Sequence, residues 1–204
     1  MFKTEQEKFW AGDFGDAYVD RNDGEKVIAS NTALFTKVLQ RTGPLKTVVE
    51  FGANIGLNLM ALQRLQPGLK ATGVEINAKA AERLGSIPDV TALHGSLLEV
   101  DAPVADLALI KGVLIHLNPD WLPQVYERLH RSAGKWLLVA EYYNPSPVEV
   151  PYRGHSGRLF KRDFAGEILD RFKDLRVADY GFVWRRDPSF PQDDITWFLL
   201  ERRG

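Results

Sequence analysis

Apolar positions along the chain switch between two spacings. Val27, Ile28, Leu34, Phe35, Val38 and Leu39 recur three and four apart, which lays them along one helical face and predicts a helix from Asp23 to Arg41. Thr42-Gly43-Pro44 ends it. The β-branched run Thr47-Val48-Val49 predicts a strand over 46–51, and a leucine pattern predicts a helix over 55–66, stopped by Gln66-Pro67-Gly68. The alternation continues with strands over 69–77, 89–95, 105–113 and 134–143 and helices over 78–87 and 118–133. The 134–143 strand is nearly continuous in apolar residues, as strands covered on both faces are.

Strands alternating with helices imply an α/β fold with a mostly parallel sheet and right-handed crossovers. After a helix at 162–172, the strand patterns at 175–184 and 193–203 have no helix between them, so they should pair antiparallel at one edge. Residues 144–160 are dense in Pro, Gly and polar residues and form a long connection, a type that is usually functional or mobile. At the start, Phe9, Trp10, Phe14 and Tyr18 crowd an acidic segment, with Thr4 placed to cap a short helix.

Composition narrows the class. A chain of 204 residues, 45% hydrophobic and 26% charged, is expected to form one globular domain. We divide it into an N-terminal helical cap, 1–45, and a core, 46–204. The formal net charge of -1 gives no global attraction to nucleic acid or anionic membrane. The opening lacks the basic-then-apolar order of a secretory signal, and no apolar run approaches the ~20 residues of a membrane span. With no cysteine, disulfides and thiolate metal sites are excluded, and a reducing cytoplasm is the expected location. The histidines at 94, 116, 130 and 155 show no paired ligand spacing, so no metal is expected.

The candidate chemistry begins at Gly52-Ala53-Asn54-Ile55-Gly56, between the first strand and its helix. Ligands of such sheets sit outside the carboxyl ends of the strands. Glycines allow a tight bend and close approach to the main chain, and the helix N-terminus favours a negative group. The spacing is G-x-x-x-G, so the diphosphate-binding G-x-G-x-x-G pattern is incomplete. Glu50, just ahead of the turn, would repel a phosphate and attract a cationic amino-acid head group. Glu75 lies 23 residues beyond Gly52 (75 − 52), near the spacing at which an acid receives two ribose hydroxyls. Together these features imply an adenosine-type cofactor.

Val48–Gly56, Gly73–Asn77, His94–Val100, Ala105–Pro119 and the terminal strand pair resemble the class I S-adenosylmethionine-dependent methyltransferases. The resemblance covers most of the chain from Lys46 onward. It implies a Rossmann-like seven-stranded sheet with the last strand reversed, helices on both faces, and S-adenosylmethionine as cofactor. By the same resemblance, Glu50 and Gly52, Asn54 and Gly56 of the turn would hold the methionine portion. Glu75 would take the ribose, with Asn77 near the adenine or ribose edge and Ser96 and Leu97 flanking the adenine. Family members often carry an aspartate where Ser96 stands. Lys111, Gly112 and His116 would lie beside the sulfonium and the substrate. A narrower resemblance, carried by Thr4–Asn22 together with Val48–Leu59, is to methyltransferases encoded with pseudaminic acid biosynthesis. It implies a nonulosonate sugar or its nucleotide conjugate as substrate.

His116 and Tyr143 are the candidate catalytic groups. His116 suits proton transfer near neutrality, or it packs near the cofactor without touching a substrate proton. Glu141, Tyr142 and Asn144 end the fifth strand on the ligand side. Tyr152, Arg153, His155 and Arg158 lie in the long loop, as an anion-binding cluster or as a charged surface. Trp10 and Tyr18 could cover the sulfonium by cation–π attraction, with Arg21 pairing the cofactor carboxylate; the alternative is an aromatic helix packed on the domain. The expected partner is a small-molecule, anionic acceptor, with neither nucleic acid nor membrane, and the pattern fixes no oligomeric state. The rival functions are a cofactor-binding protein without turnover and an NAD-dependent oxidoreductase. A nucleic-acid methyltransferase would want an N-P-P-Y or D-P-P-Y type motif where this chain reads Lys111–His116.

Overall fold

The computed structural model describes residues 2–19 and 24–203. Three helices lead: α1 (Glu5–Ala11), α2 (Asp13–Val19) and α3 (Gly24–Thr42). The α/β core follows as β1 (Thr47–Phe51), α4 (Leu57–Leu65), β2 (Lys70–Glu75), α5 (Ala78–Gly85), β3 (Val90–His94), β4 (Ala105–Lys111), α6 (Leu122–Ser132) and β5 (Ala133–Glu141). The chain ends with β6 (Val148–Glu149), β7 (Phe160–Lys161), α7 (Phe164–Arg171), β8 (Leu175–Val183) and β9 (Ile195–Arg202). Among the described residues, no helix is long and apolar enough to cross a membrane.

Seven strands form one sheet in the order β3-β2-β1-β4-β5-β9-β8. Neighbours from β3 to β5 are parallel, while β9 runs antiparallel to both β5 and β8. The expected seven-stranded sheet with a reversed last strand is therefore present. Within the terminal pair, β9 is the inner strand and β8 the edge. Burial accounts for this arrangement: Trp197, Leu199 and Leu200 of β9 are buried, whereas Tyr180 and Phe182 of β8 are exposed.

Successive residues of the central strands serve opposite faces. Val48, Leu107 and Leu109 pack with Leu34, Phe35, Val38, Leu59 and Leu62 of α3 and α4. Val49, Ala108 and Ile110 pack with Val125, Leu129 and Ile168 of α6 and α7. Strand order reverses between β1 and β4, so the crevice for a ligand opens at the carboxyl ends of those two strands.

Two segments depart from the sequence pattern. The opening segment forms two helices instead of one, broken at Gly12, whose extended backbone ends α1 while its N–H bonds Lys8. The 144–160 connection contains the β6–β7 hairpin and a Tyr152–His155 bridge.

Candidate functional site

Two carboxylates close the tips of β1 and β2 differently. Glu75 accepts from the main-chain N–H of Asn54 at 2.7 Å and of Asn77 at 2.8 Å, one at each oxygen. This ties the strand tip to the glycine turn and leaves further lone pairs on both oxygens. Glu50 lies fully buried behind the turn and accepts from Asn58 Nδ2 at 2.5 Å. Its second oxygen and Asn58 Oδ1 are buried without partners among the described residues. Burial pushes the Glu50 carboxyl up to about 8.

The turn uses all of its own amides. Gly52 and Ala53 N–H donate to Val74 O, Asn54 N–H to Glu75, Ile55 N–H to Asn54 Oδ1 and Gly56 N–H to Ala53 O. Gly52 has a φ of +75°, and a Cβ there would fall 2.5 Å from Val113. Gly56 packs against Leu84 of α5 and Ile87 just beyond it, so its role is to seat the turn on the next helix.

A cavity of about 230 Å³ runs over these tips. Its floor includes Gly52, Asn54, Asn58, Glu75, Asn77, Lys111 and Gly112. Gly95, Ser96 and Leu97 form one end, His116 and Trp121 another part of the wall, and Trp10, Gly15 and Tyr18 the roof. Lys111 is pulled below the usual lysine range by burial, opposed by the nearby carboxylates Glu50, Asp193 and Glu141.

The roof is bolted down by polar contacts that the sequence did not disclose. Thr4 and Glu7 form a capping box at α1. The same Glu7 carboxylate accepts from the Ser96 hydroxyl across the chain. Asn77 caps α5 with Oδ1, while its Nδ2 donates to Asp16 at 2.7 Å and to Trp10 O at 3.3 Å. Asn77 thus holds the roof, and its amide group has little left for a ligand. Glu7, Gln6, Asp16 and Asn58 were not among the sequence candidates. The one available signal was the Thr4-x-x-Glu7 spacing, which reads locally as a cap.

His116 stands at the end of a short 3₁₀ turn with Nδ1 2.7 Å from Arg158 O. Burial holds its ring neutral, down to about 4. Trp10 and Tyr152 flank it with ring centroids at 4.7 and 4.8 Å. His155 packs on Phe9 and Phe14, and Arg158 lies over Phe9. None of the loop and strand-tip candidates Glu141, Tyr142, Tyr143, Asn144, Tyr152, Arg153, His155 and Arg158 lines the cavity. Tyr143 is 43% exposed and packs toward Phe198 of β9. Asn144 is half-buried and donates to Ser146 O. Arg153 is exposed, over Tyr152. Glu141 is buried and accepts from Val113 and Leu114 N–H at 2.9 Å each, which fixes the turn leading to His116. Tyr142 is half-buried between the two cores, with its phenol raised by burial. Arg21 lies outside the described residues.

No protein-family model and no curated protein matches the chain. Solved structures do. Mitomycin 7-O-methyltransferase superposes with a TM-score of 0.67 at 18% identity, covering 98% of this chain and 61% of that one. The 1,6-didemethyltoxoflavin-N1-methyltransferase of Burkholderia thailandensis, with 1,6-didemethyltoxoflavin and S-adenosylhomocysteine bound, gives 0.68 at 19%, covering 97% and 87%. The magnesium protoporphyrin IX methyltransferase of Synechocystis, with S-adenosylmethionine bound, gives 0.66 at 13%, covering 99% of each chain. This chain spans less than two thirds of the mitomycin enzyme. The likeness establishes the fold, that of the S-adenosylmethionine-dependent methyltransferases.

Proposed function

We propose that the chain binds S-adenosylmethionine in the roofed cavity and is a methyltransferase acting on a small polar metabolite. The observation that carries this reading is the use of the turn's amides. All five N–H groups from Gly52 to Gly56 already have protein acceptors, so the turn has no free amides with which to cradle a diphosphate. What the cavity offers is the Glu75 carboxylate, which suits a ribose diol, and the unpartnered Asn58 Oδ1 backed by Glu50, which suits an ammonium. That set fits an adenosyl amino acid and speaks against NAD.

In this reading Glu75 holds the ribose, with Ser96 and Leu97 beside the adenine. Gly52, Asn54, Asn58 and Glu50 serve the methionine portion. Gly112 leaves room at the tip of β4, Lys111 or Arg21 meets the carboxylate, and Trp10 and Tyr18 cover the sulfonium. Residues 1–45 act as the cap and 46–204 as the core of one domain. The cofactor supplies an activated methyl group, so the protein chiefly aligns the acceptor, which can lower the barrier by several kcal/mol through positioning. His116 accepts the acceptor's proton where the acceptor is a hydroxyl or a protonated amine. For the acceptor itself, the N-terminal resemblance supports an anionic sugar, a nonulosonate or its nucleotide conjugate.

Calorimetry with S-adenosylmethionine, S-adenosylhomocysteine and NAD tests the cofactor. Micromolar binding of the first two is expected; binding of NAD alone ends the proposal. Mass spectrometry of a metabolite extract incubated with the protein and deuteromethyl-labelled cofactor then identifies the acceptor.

A further inference from the structure

His116 can be given a tautomer. A carbonyl oxygen only accepts, so the 2.7 Å contact with Arg158 O requires the proton on Nδ1. The neutral ring then presents a lone pair at Nε2, which has no hydrogen-bond partner among the described residues, while the residue lines the cavity. Whatever fixes the Arg158 carbonyl therefore fixes the basic nitrogen.

The loop that carries this carbonyl is held from within itself by Gly157 N–H to Glu149 at 2.5 Å and by Val150 N–H to Leu159 O at 2.9 Å, over a short hairpin. β6 and β7 pair over two residues each, Gly154 and His155 are exposed, and Gly157 turns with a φ of +67°. The roof adds a tie from a distant part of the chain. Buried Gln6 of α1 donates from Nε2 to Gly157 O at 2.9 Å, across 151 positions of sequence. Adjacent carbonyls thus both accept, Gly157 O from the roof and Arg158 O from His116. The next residue after Gln6 is Glu7, which bonds Ser96 at the other end of the cavity. One turn of helix touches both ends.

We propose that Gln6 is a positioning residue for His116, acting through the 157–158 peptide, so that seating the roof and aiming Nε2 into the cavity are one event. This rests on His116 being the base of the methyl transfer proposed above. Losing the Gln6 bond removes the roof's hold on the peptide and leaves Gly157 O with the Arg158 guanidinium at 3.1 Å, and His116 then exchanges between its two neutral tautomers, one of which places a proton where the acceptor's proton must go.

The test is nitrogen-15 NMR of the imidazole rings with S-adenosylhomocysteine bound, beside steady-state kinetics. In the unmodified protein His116 is expected as the pure Nδ1–H tautomer; an Nε2–H ring overturns the inference without any variant. Gln6→Met keeps the side-chain length and removes the donor. It should give a mixed tautomer and a kcat lower by about tenfold, a larger loss than in affinity for S-adenosylhomocysteine. Gln6→Glu, whose carboxylate faces the carbonyl, should do the same. Variants that fold, bind the donor and keep both the wild-type tautomer and kcat overturn the inference alone. Failure of the unmodified protein to bind either adenosyl ligand overturns the function itself.

Discussion

Glu75 is the side chain on which the cofactor reading leans most. Its position was legible because strand-end acids at this distance from a glycine turn have a defined partner; its two amide contacts were not. Glu75→Ala should weaken binding of S-adenosylhomocysteine by about 2 kcal/mol, some thirtyfold, through loss of charge-assisted hydrogen bonds, as read by calorimetry. Unchanged affinity would remove Glu75 from the ribose role. His116→Ala should lower kcat about a hundredfold with little effect on donor affinity, and equal turnover would leave His116 as a packing residue. Glu50 gives a pH signature. Burial pushes its carboxyl up to about 8 in the fold, against about 4.5 for an ordinary glutamate, so the native state holds the extra proton between those values. Stability from this group is full below about 4.5 and is lost as pH rises toward 8. Glu50→Gln, which keeps the Asn58 contact, should shrink the drop in Tm between pH 5 and pH 8; a drop of the same size would show that Glu50 is ionised in the fold.

At the scale of elements, the strands and long helices followed from periodicity, and the roof did not. Helices as short as α1 and α2 are marginal by themselves, so tertiary contacts decide whether they form. Thr4 was readable as a cap, whereas the close approach of α2 to α1 at Gly15 was not. A Cβ there would sit 1.9 Å from Trp10 O and 2.9 Å from Asn77 Nδ2. Gly15→Ala must therefore spread the two helices and strain the Asn77–Trp10 contact. We expect faster amide exchange across 5–19 and weaker donor binding, with the melting of the α/β core nearly unchanged. Exchange at the wild-type rate would mean that the helices are seated by other contacts. The same logic governs the 144–160 loop. Its composition marked it as a loop, but the bond from His116 to its Arg158 carbonyl depends on a partner 42 positions away.

Across the whole molecule, a ligand that binds only the folded state raises its melting temperature by mass action. At a hundred times its Kd, S-adenosylhomocysteine should add about 2.7 kcal/mol, or roughly 5–10 °C for a chain of this size, while NAD should leave Tm unchanged. A shift with NAD alone would favour the oxidoreductase instead. The sequence by itself determined the α/β class, the order of strands and helices, the antiparallel close and the glycine turn with its two acids. All of these depend on spacing along the chain, where periodicity and backbone preference act locally. Only the tertiary structure decided that Glu50 stands behind Asn58, that Tyr143 packs away from the cavity, and that Gln6 and Glu7 fasten the roof. Those outcomes depend on which buried polar atoms find partners, and the partners come from segments that composition and spacing treat as unrelated.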